Sequence, residues 1–368
     1  MIASDLPLTV HDISVEWIAA ALSDGGLNNG LGEIAVESVD IEPFGAGTAF
    51  LGSLARLHIT YAEQQARAPR SLIAKLPTTD EGARQVGSFL RVWFREAMFY
   101  AHLADQLPDT VSVPCCYFNA IDDATGHTIL LLSDETPAEA GDQVLGATVQ
   151  QATVAVEALA TFQSTWWGVP RNAAVRWVPG IDAPALPGGL QATVTSSLGQ
   201  FEAKFANALP AESVEINRQF AHRLSDWLSH IGSHPLTIAH ADYRLDNLLF
   251  HPAGAVTIVD WQTAMYTGGV TDLAFLLGSS LDIELRRTIE QQMLVLYRDK
   301  LVENGVDESL LQHVEADYRT SMLWWMAMVG NNLAAVETDD PRSLALFESM
   351  LTRLHTAALD LEAASIDF

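Results

Sequence analysis

Basic residues are scarce in this sequence. The 368-residue chain has three lysines (Lys75, Lys204 and Lys300) and 20 Lys plus Arg in all, against 46 Asp plus Glu, for a formal charge of −26. A surface that acidic repels phosphate backbones and anionic headgroups, so neither nucleic acid nor a membrane is an expected partner. A highly soluble or salt-adapted surface explains the acidity; a trap for cationic substrates is the alternative. No Lys or Arg precedes Arg56, which argues against a secretory leader with its basic leading segment. Long apolar runs are also missing: Met322 to Val329 falls far short of the roughly 18 residues of a membrane span. The two cysteines, Cys115 and Cys116, are adjacent and are expected as reduced, mostly buried thiols of a cytoplasmic protein. With 49% hydrophobic and 18% charged residues, the chain has ample material for a core, which excludes disorder. Its length predicts two domains at about 150 residues each.

The first 130 residues alternate strand-like and helix-like patterns. Helices are expected over His11 to Leu22 and Gln85 to Gln106, and strands over Ile34 to Ile41, Leu51 to Tyr61, Ser71 to Leu76, Cys116 to Ile121 and Thr128 to Leu132. Beyond Ser133-Asp134-Glu135-Thr136-Pro137 helical periodicity dominates, over 145–166, 213–231, 283–304, 309–329 and 342–363. The Pro- and Gly-containing stretch from Trp167 to Ala211 carries no clear pattern, and a β-rich island spans Leu236 to Asp260. The expected class is α+β: a small β-rich N-terminal lobe over 1–132, a hinge at 133–137, and a larger, mainly helical C-terminal lobe over 138–368.

The island carries the strongest chemical signal, His240-Ala241-Asp242-Tyr243-Arg244-Leu245-Asp246-Asn247, followed by Val259-Asp260-Trp261-Gln262. A hairpin between Leu248–Phe250 and Val256–Val259 would bring Asn247 and Asp260 to neighbouring strand ends, beside Asp242. Converging oxygen donors suit a hard divalent cation such as Mg²⁺ and an adjacent hydroxyl. Phosphoryl transfer uses such a set: one carboxylate orients and deprotonates the attacking hydroxyl, while an amide and a second carboxylate hold metal on the phosphates. The spacing alone is only moderately specific, since a solvated turn capping the next strand also explains it.

With these residues the sequence resembles the small-molecule branch of the protein-kinase-like fold, the aminoglycoside and choline phosphotransferase superfamily. Within it the chain looks most like the ecdysteroid-kinase-like group and its bacterial relatives, from about Ile41 to Leu281. The resemblance implies a bilobal kinase-like fold, Asp242 as catalytic base, and Asn247 and Asp260 as magnesium ligands. It also implies that His240 and Asp272 brace the catalytic loop, although a plain helix-capping role explains Asp272 equally well.

Other segments extend the comparison. Phe44-Gly45-Ala46-Gly47-Thr48, between two strand-like stretches, is a candidate phosphate flap, with Gly45, Gly47 and Thr48 as candidate contacts; Gly52 comes too late for the protein-kinase spacing. Lys75 ends an apolar strand, where an ammonium needs a carboxylate partner. Glu96 on the following helix is the expected partner, as in the family, and Glu81 the fallback, whereas Arg91 and Arg95 are expected at the surface. Backbone groups near Ser133 and Glu135 are candidates for adenine recognition. Gly141-Asp142-Gln143 resembles a segment of the bacterial relatives and reads physically as a helix-start turn. Seven histidines, among them His230, His234, His313 and His355, show no metal-ligand spacing and are expected as surface or core residues. Trp166-Trp167 and Trp324-Trp325 are expected in the core, with acceptor-pocket walls as the alternative.

The resulting expectation is an ATP- and Mg²⁺-dependent enzyme that phosphorylates a hydroxylated small molecule, with nucleotide between the lobes. A lipophilic or polycyclic alcohol is preferred over an aminoglycoside-like acceptor, and oligomeric state is left open. Only about a dozen residues separate Asp260 from Asp272, which leaves no room for the peptide-docking segment of a protein kinase. A catalytically silent nucleotide-binding module would be expected to lack one of Lys75, Asp242, Asn247 or Asp260, and all are present. A hydroxyacyl-CoA kinase would need basic residues for the CoA phosphates, and the chain is poor in them.

Overall fold

A computed structural model describes residues 6–24, 34–44, 52–62, 68–122, 124–172, 175–183 and 186–368. The chain forms two compact units. The first comprises Met1–Gln106, Val113–Pro137 and Val259–Thr263, and the second Leu107–Ser112, Ala138–Ile258 and Ala264–Phe368.

The first unit is built on a five-stranded antiparallel sheet, β1 (Val36–Phe44), β2 (Gly52–Tyr61), β3 (Ser71–Pro77), β4 (Cys116–Ile121) and β5 (Thr128–Ser133), in the order β1-β2-β3-β5-β4. Strand alternation decides which residues are buried. Ala55, Leu57 and Ile59 of β2 and Leu72, Ala74 and Leu76 of β3 join Ile18, Ala21 and Leu22 of helix α1 (Val15–Asp24) in one core. The odd-numbered residues of β3, Lys75 among them, therefore belong to the opposite face. The long helix expected over Gln85 to Gln106 is two helices, α2 (Glu81–Leu90) and α3 (Val92–His102). Arg91 breaks it by adopting a left-handed conformation, φ 54°, that ends α2 and redirects the chain into α3. Periodicity continues smoothly across the break, so the pattern does not reveal it. Helix α3 packs on β4 and β5. The cysteines differ from expectation as well: Cys115 is exposed and Cys116 half-buried, and burial pushes the Cys116 thiol well above its ordinary value.

The second unit carries α4 (Val149–Ser164), α5 (Leu186–Phe205), α6 (Ala211–Gly232), α7 (Val270–Ser280), α8 (Ile283–Glu303), α9 (Val314–Ala334) and α10 (Pro341–Asp360). Every residue of α7 is buried, the polar Thr271, Asp272, Ser279 and Ser280 along with its apolar run Leu273–Leu277, and α4, α8, α9 and α10 surround it. Helix α5 occupies the stretch that showed no pattern; its Pro-Gly-Gly start and small residues hide the period, and only Val194 and Phe201 along it are buried. Two small sheets complete the unit. Strand β6 (Glu139–Ala140) pairs with β8 (Leu248–Phe250), which forms a hairpin with β9 (Val256–Ile258), while β7 (Thr237–Ala239) pairs with β10 (Met265–Thr267). All four paired tryptophans are core residues: Trp324 stacks on Trp227 at 5.1 Å and Trp325 on Phe275 at 3.9 Å, and Trp166 and Trp167 pack edge-on against Phe162 and Tyr297. Trp167 also lines a cavity with Leu310, His313 and Asp317. Among the described residues no helix is long and apolar enough to cross a membrane.

Candidate active site

In the first unit the β3 face opposite the core presents Lys75 to α3. Its Nζ donates to Glu96 Oε1 at 2.9 Å and to Asp260 Oδ1 at 2.7 Å. Glu81, the fallback partner, lies exposed at the start of α2. Burial works against the charged ammonium, but the Asp260 and Glu96 carboxylates outweigh it and hold the Lys75 pKa above its ordinary value. Burial pushes Glu96 the other way, above the usual carboxylate range, with Lys75 opposing it. The segment carrying Asp260 is anchored by Trp261, whose ring stacks on Phe99 of α3 at 3.9 Å and 6° between planes. Asp260 adopts φ 68°, a left-handed conformation that Asp tolerates better than most residues, and Gln262 Nε2 donates to its second carboxylate oxygen at 3.2 Å.

Arg95, expected at the surface, is partly buried. Its Nη1 donates to the Thr263 carbonyl at 3.3 Å, and burial lowers its pKa to about 10. It thereby ties the far end of the Asp260 segment to α3. At the end of β5, Ser133 Oγ accepts from the Cys115 amide at 2.8 Å and donates to Glu135. The Asp134 carboxylate between them accepts from Arg56 Nε at 2.8 Å and from Ser71 Oγ at 2.5 Å. Gly45, Gly47 and Thr48 lie outside the described residues.

In the second unit Asp242 and Asn247 meet directly. Asn247 Nδ2 donates to Asp242 Oδ2 at 2.8 Å and to its backbone carbonyl at 2.9 Å, while Arg244 Nε donates to Oδ1 at 3.2 Å. This loop is held from beneath by Asp272. The fully buried carboxylate accepts the amides of His240 at 2.7 Å and Ala241 at 2.8 Å, and Gln163 Nε2 at 3.0 Å. These donors belong to the loop and to α4 rather than to its own helix, α7, which is the geometry of a brace. Burial pushes the Asp272 pKa up to about 7, with those donors pulling against it. The brace also fixes Ala241 at φ 60°, a conformation unfavourable for a residue with no polar side chain to compensate.

The segment Gly141-Asp142-Gln143 is not a helix-start turn, because α4 begins later, capped by Thr148. Gln143 is fully buried, and its side-chain oxygen accepts the Leu245 amide at 3.0 Å, while its Nε2 donates to the Ser279 carbonyl at 2.9 Å. A side chain on Gly141 would lie 2.9 Å from Leu245 Cβ, so only glycine lets this strap approach the loop. A glutamine flanked by Gly, Asp and a short apolar pair gave no hydropathic sign of burial.

Solved structures with similar folds include small-molecule kinases. An ethanolamine kinase from Plasmodium vivax is 12% identical with a TM-score of 0.54, covering 90% of this chain and 84% of its own. A choline kinase from Streptococcus pneumoniae is 17% identical with a TM-score of 0.50, covering 88% and 94%. A spectinomycin phosphotransferase, solved with ADP and spectinomycin, is 15% identical with a TM-score of 0.50, covering 95% and 99%. These likenesses define an α+β fold of the kinase-like class. The family model described as phosphotransferase enzyme family matches residues 57–303, more than half the sequence, and the chain belongs to that family. No curated protein matches it.

Proposed function

We propose that this protein is an ATP- and Mg²⁺-dependent O-phosphotransferase acting on a small hydroxylated molecule in the cytoplasm. The observation that carries the reading is Lys75, a buried ammonium held by two carboxylates, Glu96 and Asp260, of which Asp260 belongs to the sequence segment that resembles the family's metal-binding turn. A buried cation needs such compensation, and one paired on two sides is poised to meet a phosphate.

The donors available for Mg²⁺ fit a hard cation: the Asp260 carboxylate and the side-chain oxygen of Asn247, whose nitrogen is committed to Asp242. Bound there, Mg²⁺ would neutralise charge on the phosphates. In our reading Lys75 binds the phosphates, and Glu96 holds Lys75 in place. Asp242 accepts the proton of the acceptor hydroxyl as phosphoryl transfer proceeds; its second oxygen, held by Asn247, fixes the carboxylate's orientation. Gly45, Gly47 and Thr48 would cover the phosphates, and the backbone near Ser133 and Glu135 would meet the adenine. The finer resemblance to the ecdysteroid-kinase-like group and a domain division at 133–137 belong to the same proposal.

The test is an ADP-release screen with Mg²⁺–ATP over aminoglycosides, choline and ethanolamine analogues, sugars, and steroid and terpenoid alcohols. Turnover of at least one alcohol by wild type, and turnover at least about a hundredfold slower by Asp242→Asn, is expected. ATP binding with no turnover across the whole panel would overturn the reading in favour of a silent nucleotide-binding module.

A further inference from the structure

The histidines near the end of α6 gather around a carboxylate that no part of the phosphotransfer scheme uses. His230 lies in the last turn of α6, His234 follows two residues after the helix ends, and Asp317 occupies the first turn of α9. His234 Nδ1 lies 2.8 Å from Asp317 Oδ2 and 3.1 Å from Oδ1, and His230 Nε2 lies 3.4 Å from Oδ1. The three candidate ligand atoms fall within 4.8 Å of one another, the one such grouping of His, Cys, Asp or Glu among the described residues. The Asp317 side chain is 8% exposed, yet His230 Nε2, also shielded from solvent, makes no hydrogen bond. A buried carboxylate beside an orphaned imidazole nitrogen is costly as it stands.

We propose that His230, His234 and Asp317 form a binding site for a borderline divalent transition-metal ion of the zinc class. Tetrahedral Zn²⁺ with bonds of about 2.0 Å places its ligands roughly 3.3 Å apart. The His230–Asp317 separation already matches that spacing, and the His234–Asp317 contact needs to open by only a few tenths of an ångström. Two imidazoles and one carboxylate select zinc, cobalt or nickel over Mg²⁺ or Ca²⁺, which take all-oxygen sets. A fourth position falls to water or to His313, exposed and stacked on His234 at 3.8 Å and 6°. A cavity lined by Trp167, His234, Leu310, His313 and Asp317 lies beside the cluster. Sequence reading missed the site because the histidine pair straddles the end of α6 and its carboxylate is supplied 83 residues later. A metal here clamps the end of α6 to the start of α9 within the second unit, independently of the phosphotransfer reading.

The test uses the full chain with every affinity tag removed, dialysed against micromolar ZnSO₄ in the presence of millimolar Mg²⁺ and assayed for bound metal. About one zinc per chain is expected for wild type and for Asp260→Ala, and none for the His230→Ala/His234→Ala double variant. Co²⁺ should give the visible bands of a low-coordinate site in wild type and lose them in Asp317→Asn, a near-isosteric change that keeps the fold. Zinc should raise the unfolding midpoint of wild type but not of the variants. Failure of wild type to retain zinc, or equal retention by the histidine variant, overturns the proposal; loss of zinc on Asp260→Ala alone would assign the metal elsewhere and overturn it too.

Discussion

Removing the ammonium of Lys75 leaves Glu96 and Asp260 facing each other without a cation. The Lys75→Met variant is expected to lose about 3–5 kcal/mol of stability at pH 7.5, the usual cost of an uncompensated buried charge, along with its phosphotransfer. The pH dependence has a definite sign. Burial already holds Glu96 above its ordinary value with Lys75 in place, and losing Lys75 raises it further. The folded variant then binds a proton that the unfolded chain releases above about pH 4.5. Its deficit against wild type should therefore shrink as pH falls from 7.5 toward 5, and Glu96→Gln in the same background should restore part of the loss. Urea unfolding at the two pH values measures this; a deficit that stays constant or grows on acidification would remove the Lys75–Glu96 pair from the account. In the proposed mechanism Asp242 acts instead on the transition state. Asp242→Asn preserves the size of the side chain, so nucleotide affinity should stay within a few-fold while kcat falls by about 10²–10⁴. Equal losses in affinity and turnover would mark Asp242 as a binding group.

Elements position those residues through contacts of very unequal visibility. Strands β2 and β3 were legible as short runs of apolar and β-branched residues, whereas the consecutive Leu72-Ile73-Ala74 hid which face of β3 meets the core. The Asp242–Asn247 loop was legible as chemistry, since charged and amide side chains at fixed spacing stand out among apolar strands. What supports the loop was legible only through the family resemblance for Asp272, and not at all for Gln143. Gln143 and Asp272 come from segments about a hundred residues upstream and thirty downstream, and their partners are backbone amides that leave no trace in composition. Arg91 was hidden for another reason: one residue in a left-handed conformation breaks the helix without disturbing its apolar pattern. The support matters energetically. Asp272→Ala strips the acceptor from the buried amides of His240 and Ala241, at roughly 1–3 kcal/mol for each group left unsatisfied. We expect kcat to fall by at least tenfold and hydrogen exchange at those two amides to speed up, with the sheet of the first unit unaffected. Unchanged exchange at Ala241 would show that the loop holds its conformation without the carboxylate. At the Arg91 break, glycine should be tolerated or stabilising by up to about 1 kcal/mol, and valine destabilising by more, because only the latter resists positive φ.

The charge of the whole chain acts on stability in a way no single contact does. With 20 basic side chains against 46 acidic ones, more than half the carboxylates have no basic side chain of their own to pair with. Exposed pairs such as Arg218–Glu202 and Lys300–Glu303 each contribute only about 0–1 kcal/mol, and salt weakens them. Repulsion among the remaining carboxylates is long-ranged, and salt weakens that more. Raising ionic strength from about 0.01 to about 0.1 M shortens the screening length from roughly 30 to 10 Å, which separates most surface charges from one another. The unfolding midpoint should therefore rise with salt, by about 1–2 °C for each kcal/mol of repulsion relieved. Tetramethylammonium chloride should act nearly as well as KCl, because screening depends on charge density rather than on coordination. Calorimetric scans across both salts make the comparison. A midpoint that falls with either salt would mean that local ion pairs dominate, whereas a rise with KCl alone would point to bound cations instead of screening.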